Sequence, residues 1–344
     1  MRILVLGGTR FFGLQLVHRL VDEGHQVTIL TRGLTSAPLP PSVERLVGDR
    51  REAASLRDAV GSRTWDVVID NIGFTAADAR LAVDLFAGRT GRFLFTSTAA
   101  VYTVLDGIVN PYREEDTERF PEHPRVRQDP RLAYGWGKLQ AERVLREAYR
   151  ERGFPITILR VPIVIGPRDH TLRAYSYWVR LKDRAPLILP DGGRVDWRFI
   201  FSGDVVRAFL LLLKEERSVG QVYNFAQEEI VSVREFVKLS AEILETPVET
   251  VDIPLQWLRA QGIEPTFSPY SIPRSCILDI GKAHRELGWR STPWAEWMRA
   301  SIEWFEREYS GPPPEDYFRR GDELRLIERW RRMTTAPGSS VECP

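Results

Sequence analysis

The sequence predicts a doubly wound α/β fold, in which helices cover both faces of a parallel sheet and a smaller C-terminal lobe follows. Short apolar runs recur along the first half of the chain, as expected for strands buried on both faces of such a sheet. Segments with apolar residues at helical spacing separate these runs, and this alternation is typical of doubly wound sheets. The 344 residues, 43% of them apolar, suffice for one large domain and a smaller lobe.

The first 32 residues predict a strand, a glycine loop, a helix and a second strand. An apolar strand at Arg2–Leu6 leads into the loop GGTRFFG at 7–13 and then into a helix that stops at Gly24. The second strand is Gln26–Leu30. Glycines let a backbone approach a pyrophosphate, and the first N–H groups of a helix attract anions. The unit therefore indicates a Rossmann-type dinucleotide site, the alternative being a plain structural turn.

The residues after the second strand favour NADP(H), with NAD as the alternative cofactor. A carboxylate at this position would hold the ribose hydroxyls of NAD, whereas this chain has Thr31 and Arg32. A guanidinium binds the 2′-phosphate of NADP, and Arg10 in the glycine loop can add a second one. The other interpretation is that Arg32 stacks on the adenine and that either cofactor binds.

Four more strands and two helices continue the alternation. We expect the strands at Val43–Asp49, Trp65–Asp70, Arg92–Ser97 and Ile156–Val161. We expect the helices at Ala76–Ala87 and Ala133–Glu151. Asp49 is placed to accept a hydrogen bond from the adenine amino group, unless it is a solvated loop carboxylate. Asn71 and Gly73 follow a strand at the carboxyl edge of the sheet, where ligands of such folds bind.

Residues 105–131 interrupt this alternation. The segment is rich in proline and charge and is too long for an ordinary connection, so we expect either a lid over the site or a surface excursion. The expected domains are a nucleotide-binding domain over residues 1–165 with interleaved later segments, a substrate-binding lobe mainly over residues 166–310, and a charged extension over residues 311–344.

The C-terminal half shows weaker local patterns. In chain order we expect a helix carrying Tyr175–Trp178, a turn at Pro190–Gly193, a strand at Asp196–Phe201, a helix at Val205–Leu213 capped by Asp204, a helix capped by Ser232, a charged amphipathic helix at Glu323–Arg332, and disorder at Thr334–Pro344. The basic run near Arg329 could contact RNA, although a solvated helix face or an oligomer contact is favoured.

Composition argues against several classes of function. The net charge of +1 gives no electrostatic case for nucleic acid or an acidic membrane as the main partner. Two cysteines and five histidines show neither a disulfide framework nor metal-ligand spacing, so no metal is expected. No apolar run is long enough to span a bilayer, and the first strand starts at Arg2, which leaves no room for a signal peptide. We therefore expect a soluble cytoplasmic protein.

A tyrosine and a lysine on the helix predicted at Ala133–Glu151 are the catalytic candidates. Tyr134 and Lys138 are four residues apart and share a helix face. A nearby ammonium lowers the pKa of a phenol, which suits Tyr134 to acid–base work, and Lys138 can also hold the nicotinamide ribose. The hydroxyl of Thr98 or Ser97 can bond the substrate oxygen, and strand alternation admits one of the two. Taken alone, the tyrosine–lysine pair could be a surface pair, but its position favours catalysis.

With these motifs the chain resembles the extended short-chain dehydrogenase/reductase family, which includes nucleotide-sugar epimerases, dehydratases and reductases. The resemblance covers about residues 1–310 and rests on the glycine loop, on FTSTAAVY at 95–102 and on Tyr134 with Lys138. It implies the catalytic set Thr98, Tyr134 and Lys138. The substrate contacts that we expect are Thr98, Tyr102, Arg198 and Arg274. The cofactor contacts that we expect are Gly7, Gly8, Thr9, Arg10, Phe11, Phe12, Gly13, Thr31, Arg32, Asp49, Arg50, Asn71, Gly73, Ser97, Tyr134, Lys138, Val161 and Pro162.

The function implied is hydride transfer at a carbinol or ketone carbon of a sugar or sugar nucleotide, by an epimerase or ketoreductase that forms a homodimer. Family 4,6-dehydratases carry Asp-Glu beside the catalytic hydroxyl where this chain has Ala99 and Ala100, so 4,6-dehydration is not expected. The loop sequence is also similar to a plastid branch of the family whose members bind RNA. The alternative function is therefore an RNA-binding or regulatory protein without turnover.

Overall fold

The structure is a computed structural model that describes residues 1–263, 267–271 and 274–335. The described residues divide into two compact units. The first unit comprises residues 1–164, 199–228 and 278–292, and the second comprises the described parts of residues 165–198, 229–277 and 293–344. Each unit is therefore assembled from stretches that are far apart in the chain.

A seven-stranded parallel sheet forms the centre of the first unit. The strands of the described chain are β1 (Arg2–Leu6), β2 (Gln26–Thr31), β3 (Glu44–Val47), β4 (Trp65–Asp70), β5 (Thr90–Thr98), β6 (Ile156–Val161), β7 (Val164–Ile165), β8 (Leu187–Pro190), β9 (Asp196–Trp197), β10 (Ile200–Phe201), β11 (Val222–Asn224), β12 (Val231–Ser232) and β13 (Thr250–Ile253). The sheet order is β3–β2–β1–β4–β5–β6–β11, and every neighbouring pair is parallel. The predicted fold class is confirmed.

Helices alternate with these strands. They are α1 (Phe11–Asp22), α2 (Ala53–Val60), α3 (Ala76–Phe86), α4 (Ala100–Thr103), α5 (Asp116–Arg119), α6 (Ala133–Arg152), α7 (Arg173–Lys182), α8 (Ser202–Lys214), α9 (Val233–Ile243), α10 (Leu255–Ala260), α11 (Gly281–Leu287), α12 (Trp294–Glu308) and α13 (Arg320–Thr335). The sequence reading missed α2 because only Leu56 and Val60 of this short helix are buried and no side chain caps its N-terminus. None of the described helices is both long and apolar enough to cross a bilayer.

The core of the first unit lies on the face of the sheet that α3 and α6 cover. Phe86 of α3 and Leu145 of α6 belong to the same buried cluster as Phe93 of β5 and Phe154. Fully burying each apolar side chain of this size contributes roughly 1.5–3 kcal/mol. This packing fixes α6 against β5, and the candidate catalytic residues lie on those two elements.

The predictions of one strand and of one helix cap in the C-terminal half were wrong. The strand expected at Asp196–Phe201 is two short strands, β9 and β10, in different small sheets, because the division between the two units falls after Arg198. Asp204 does not cap a helix. It lies within α8, where its buried carboxylate accepts hydrogen bonds from the backbone N–H and the hydroxyl of Thr292 at 2.8 and 2.7 Å. The cap at Ser232 is confirmed, since its side chain accepts from the Glu235 N–H.

The charged tail helix is longer than predicted. Thr334 lies within α13 and not in a disordered end, and residues 336–344 lie outside the described residues. The helix is anchored by Glu323, which is fully buried and pairs with Arg180 at 2.9 Å and with Arg320 at 2.8 Å. A charge pattern on a helix does not reveal such burial, because it depends on residues far away in the chain.

Residues 105–131 form an anchored surface excursion along α6. Glu122 accepts hydrogen bonds from Trp136 at 3.2 Å and from Gln140 at 3.0 Å, and it pairs with Arg143. Thr117 of α5 is buried and accepts from Arg160 at 2.9 Å. The segment is therefore held to α6, which carries Tyr134 and Lys138, and to β6.

Candidate active site

The glycine loop after β1 has the geometry of an anion cradle. Gly7 and Gly8 have φ of +100° and +95°, values that L side chains rarely adopt. A Cβ on Gly8 would lie 2.9 Å from a methyl of Val17, and one on Gly13 would lie 3.3 Å from the Gly8 Cα. The first turn of α1 holds no acidic residue and no side chain caps it, so its dipole favours an incoming anion. Phe11 and Phe12 open this helix with their rings 5.7 Å apart.

A pocket of about 380 Å³ opens at the carboxyl ends of β1, β2 and β3. The expected cofactor residues that line it are Gly7, Thr9, Arg10, Thr31, Arg32, Asp49 and Arg50. The structure thus brings together residues from three separate strand ends. Residues that sequence reasoning did not select also line it, namely Leu34, Thr35, Gly48, Arg51, Ile72 and Phe74.

Arg51 adds a guanidinium to the pocket that the sequence analysis missed. Its backbone N–H donates to the Asp49 carboxylate at 3.0 Å, and its guanidinium lies 3.4 Å from the same group. These hydrogen bonds, together with the charge of Arg32, hold the pKa of Asp49 below its ordinary value. Arg10, Arg32 and Arg51 are all exposed. The signal that could have revealed Arg51 is its place two residues after Asp49.

Lys138 and Tyr134 share a contact with one aromatic ring. The Lys138 ammonium nitrogen donates to the Thr96 carbonyl oxygen at 2.7 Å and lies 4.7 Å from the ring centroid of Phe74. The Tyr134 ring lies 6.3 Å from the same ring and is 51% exposed, whereas Lys138 is 2% exposed. Phe74 also lines the pocket that contains Arg10, Arg32 and Arg51, which we call the arginine pocket. This side chain therefore lies between the catalytic candidates and the expected cofactor residues.

The glycines beside Tyr134 let α6 approach its neighbours closely. A Cβ on Gly135 would overlap the carbonyl oxygen of Ala100 in α4. A Cβ on Gly137 would lie 2.7 Å from the carbonyl oxygen of Phe74. The segment YGWGK therefore presents tyrosine and lysine and also provides the flat helix face on which the loop after β4 rests.

Burial has the largest effect on the pKa of Lys138. Removal of its ammonium from water lowers the pKa of Lys138 to about 8, and the carboxylates of Asp70 and Glu142 oppose this effect. Among the residues that the structure describes, Lys138, Arg50 and Arg160 are buried cations, and Asp70, Asp78 and Glu142 are buried carboxylates nearby. Arg50 pairs with Asp70 and Arg160 pairs with Glu142, which keeps these buried charges tolerable, whereas the Lys138 ammonium donates to a carbonyl oxygen.

Of the two candidate hydroxyl residues, Thr98 is the more exposed. Ser97 is 2% exposed and donates to the Glu142 carboxylate, so the cofactor contact expected for it is corrected. Thr98 is half-buried at the end of β5 and accepts from the Ala100 N–H at 3.2 Å, which leaves its O–H able to donate. Strand alternation, which left the choice between Ser97 and Thr98 open, gives the outward position to Thr98.

Tyr102 and Arg50 are both buried, and Tyr102 does not have the role expected for it. Tyr102 is fully buried, its hydroxyl donates to Asn224 at 2.8 Å and accepts from Arg160 at 2.8 Å, and so it cannot reach a substrate. Arg50 is 4% exposed, and its guanidinium pairs with Asp70 and lies 3.3 Å from Asp78. Buried partners thus hold the Tyr102 hydroxyl. Arg50 lines the pocket, and its Nε and Nη1 atoms have no hydrogen-bond partner among the described residues, so the cofactor contact expected for it stays a prediction.

The remaining cofactor candidates surround the glycine loop and the end of β6. The Asn71 carboxamide oxygen accepts from Thr96 at 2.6 Å, and its nitrogen is buried with no hydrogen-bond partner among the described residues. That nitrogen lies 3.7 Å from the position of a Cβ on Gly13. The unused donor, the tight glycine loop and the arginine pocket together fit a dinucleotide. Gly73 has a packing role, since a Cβ added at this position would lie 2.8 Å from the Asp70 carboxylate.

Val161 and Pro162 are buried at the end of β6, where the Val161 carbonyl oxygen accepts from the Ala99 N–H at 2.8 Å.

In the second unit, Arg198 and Arg274 flank one cysteine. The Arg198 N–H donates to the carbonyl oxygen of Cys276 at 3.2 Å. Burial raises the pKa of the Cys276 thiol to about 12, and the charge of Arg274 opposes it. The substrate contacts expected for both arginines stay predictions.

The chain matches a family model and relatives with named functions. The model of the NAD dependent epimerase/dehydratase family matches residues 3–226. The chain is 28% identical over 254 residues to the chloroplast stem-loop binding protein of 41 kDa b of Arabidopsis thaliana, covering 70% of this chain and 62% of that protein. It is 25% identical over 289 residues to the 2′-dehydrokanamycin reductase of Streptomyces kanamyceticus, covering 83% of this chain and 78% of that protein.

Solved structures share the fold. One is the UDP-glucose 4-epimerase of Thermotoga maritima with UDP-glucose, at a TM-score of 0.72 and 20% identity over 89% of this chain and 99% of that one. Another is the dTDP-glucose 4,6-dehydratase of Bacillus anthracis in complex with NAD, at a TM-score of 0.70 and 18% identity over 90% of this chain and 97% of that one. At these identities the likeness shows the fold alone.

Proposed function

The chain belongs to the NAD dependent epimerase/dehydratase family, and we propose that it is an NAD(P)-dependent oxidoreductase or epimerase acting at a carbinol or ketone carbon of a sugar or sugar nucleotide. One observation carries this proposal. Phe74 lines the arginine pocket and also contacts Lys138 and Tyr134, so the nucleotide residues and the acid–base pair meet at one side chain.

The chain's own residues would position the substrate and move one proton. The bound cofactor supplies or accepts the hydride. Tyr134, half-exposed on α6, would exchange a proton with the substrate oxygen, and the Thr98 hydroxyl would donate a hydrogen bond to the same oxygen. The buried ammonium of Lys138 would favour the phenolate through its charge. The glycine loop and the Asn71 carboxamide would hold the dinucleotide.

NADP(H) is the cofactor that we favour within this proposal. Three exposed arginines, Arg10, Arg32 and Arg51, surround a pocket at the end of β2, where a 2′-phosphate would lie. A guanidinium can bind such a phosphate through two parallel hydrogen bonds. The related dehydratase was solved with NAD, and so the choice needs a direct comparison of the two cofactors.

Reduction and epimerisation share one half-reaction and differ in what happens to the cofactor. A reductase releases its cofactor after each turnover, whereas an epimerase keeps it and returns the hydride to the other face of the substrate. Dehydration is compatible with the fold, because a 4,6-dehydratase shares it. We expect no dehydration by this protein, because Ala99 and Ala100 provide no carboxylate beside Thr98.

The test is a substrate screen with a matched variant. Sugar nucleotides and simple ketones would be assayed for NADPH oxidation, and for epimerised product where NADPH is not consumed. Tyr134→Phe would be assayed in parallel. The proposal requires turnover in the wild type and its near-total loss in the variant. Equal turnover in the two proteins would refute it.

A second candidate function is binding of an RNA stem-loop without turnover. The observation that favours it is the first relative, whose name describes stem-loop binding. The net charge of +1 is low for a phosphate-binding surface. This function predicts RNA affinity that falls steeply with salt and that Tyr134→Phe leaves unchanged. Measuring RNA binding and turnover on one preparation separates the two functions.

A further inference from the structure

A buried arginine joins two carboxylates beneath the candidate active site. Arg50 lies between β3 and α2, Asp70 ends β4, and Asp78 lies in the first turn of α3. Their exposed fractions are 4%, 1% and 7%. The Arg50 guanidinium pairs with Asp70 and lies 3.3 Å from Asp78. Charges so deeply buried are costly unless they are paired, so each member of this cluster depends on the others.

The two carboxylates hold the loop that connects β4 with α3. Asp70 accepts the N–H of Ile72 at 3.0 Å, and Asp78 accepts the N–H groups of Phe74 and Thr75 at 2.9 Å each. Gly73 completes the loop, since a Cβ there would lie 2.8 Å from the Asp70 carboxylate. The backbone of residues 72–75 is thus tied to the carboxylates that Arg50 joins.

This loop places an aromatic ring against the ammonium of Lys138. The Phe74 ring centroid lies 4.7 Å from the Lys138 nitrogen, within the range of cation–π attraction. The Phe74 carbonyl oxygen packs so closely on α6 that residue 137 must be glycine. A displacement of the loop would therefore move the ring relative to both Lys138 and Tyr134.

Charged groups on three elements and one loop act on Lys138. Asp70 of β4, Asp78 of α3 and Glu142 of its own helix favour the ammonium, whereas Arg50 disfavours it. Among these charged groups, Asp70 has the largest effect on the pKa of Lys138. Glu142 also pairs with Arg160 at 2.5 Å, which neutralises part of its charge. Removing the charge of Asp70 or of Arg50 should therefore change the pKa of Lys138 most clearly, and the two changes should have opposite directions.

We infer that Arg50 and Asp70 are positioning residues for Lys138, which together hold Phe74 against its ammonium and set the charge that it carries. The inference rests on the proposed function, because it matters for catalysis only if Lys138 assists Tyr134. It gives Arg50 a role beside the cofactor contact expected for it, because Arg50 pairs with Asp70 and also lines the pocket. Neither residue touches the substrate in this account.

The test is an NMR titration of Lys138 in the full chain. The sequence has only five lysines, Lys138, Lys182, Lys214, Lys238 and Lys282, so protein labelled with 13C at lysine Cε gives few signals. Lys138→Arg assigns the signal of interest, and the other four lysines serve as internal controls. The pH midpoint of the Lys138 signal would be compared in the wild type, Asp70→Asn and Arg50→Met.

Asp70→Asn should lower the midpoint of Lys138 by on the order of one pH unit, because it removes a stabilising negative charge. Arg50→Met should raise the midpoint, because it removes a repelling positive charge. The other four midpoints should stay unchanged. A purely structural role would leave the midpoint unchanged or shift it in the same direction in both variants, and either result overturns the inference.

Asp78→Asn replaces Asp70→Asn if that variant does not fold, with a smaller shift of the same sign. The titration does not require turnover. Opposite shifts together with full turnover in Tyr134→Phe would keep the positioning role and refute the proposed function. Loss of turnover in Tyr134→Phe without the opposite shifts would keep the proposed function and refute the positioning role.

Discussion

The ammonium nitrogen of Lys138 lies 4.7 Å from the ring centroid of Phe74, and this ring also borders the arginine pocket. A single side chain, 45% exposed, thus faces both the candidate acid–base pair and the candidate cofactor site. Residues at such a junction influence catalysis through geometry as well as through their own contacts.

Phe74→Ala should lower turnover by about tenfold or more while NADPH still binds, because the ring positions Lys138 and Tyr134. Phe74→Leu is the matched control: it keeps apolar volume and loses the aromatic face. An intermediate kcat is expected for it, since cation–π attraction is worth roughly 0.5–2 kcal/mol. Steady-state kinetics and NADPH titration measure both quantities. Unchanged kcat in Phe74→Ala would show that the ring is a bystander.

Arg51→Ser should raise the Kd of NADPH by on the order of tenfold and leave the Kd of NADH unchanged. Arg32→Ser should behave in the same way. The reason is that an exposed guanidinium in this pocket binds the 2′-phosphate, which NADH lacks. Fluorescence titration with each cofactor measures the effect.

Arg45→Ser is the control for this pair, since Arg45 is an exposed arginine of β3 outside the pocket. It should change neither Kd. If Arg51→Ser weakened NADPH and NADH equally, Arg51 would act on a part common to both cofactors, and the phosphate assignment would be wrong.

Glu142→Gln should destabilise the protein by about 3–5 kcal/mol, because it leaves the fully buried guanidinium of Arg160 without its carboxylate. It also removes the charged acceptor of the Ser97 hydroxyl. Urea unfolding followed by circular dichroism measures the change. Glu147→Gln, on the exposed face of the same helix, should stay within about 0.5 kcal/mol of the wild type. Equal stabilities for the two variants would contradict the buried pair.

The stability of the protein should depend on pH through Lys138. Burial lowers the pKa of Lys138 from its ordinary value of 10.5 to about 8, so between these values the unfolded chain binds the proton more tightly. The contribution of Lys138 to stability is therefore full above pH 10.5 and is lost as the pH falls through 8.

Raising the pH from 7 to 10.5 should stabilise the wild type relative to Lys138→Met by about 3 kcal/mol, since each pKa unit corresponds to about 1.4 kcal/mol. Urea unfolding at several pH values measures this difference. Lys182→Met, which removes an exposed lysine, should show no such dependence. A constant difference between the wild type and Lys138→Met would mean that Lys138 titrates alike in the folded and unfolded chain.

Local patterns predicted the regular elements of the first unit closely. The strands at Arg2–Leu6, Trp65–Asp70 and Ile156–Val161 match the predicted bounds, and the helix bearing Tyr134 ends one residue later than expected. Buried parallel strands are continuous apolar runs, so their sequence is distinctive. Short elements such as α2 lacked that signal, and the strand expected at Asp196–Phe201 was split by the division of the chain into two units.

The roles of polar side chains were harder to predict. Ser97 and Tyr102 were expected to contact ligands, but buried partners hold their hydroxyl groups, and Arg50 is buried beside Asp70. Arg51 and Phe74, which line the pocket, were missed. A motif indicates which residue types lie near a ligand, whereas burial and hydrogen bonding decide whether a particular group is free to contact it.

By itself the sequence determined the order of strands and helices, the glycine loop, and the helix that carries Tyr134 and Lys138. These features follow from contacts within a few residues or from the apolar periodicity of single elements. Only the tertiary structure decided that Arg50 meets Asp70 and Asp78, that Ser97 meets Glu142, and that Phe74 meets Lys138. The partners in all of these contacts are 20 or more residues apart, and they meet because packing fixes how separate elements dock.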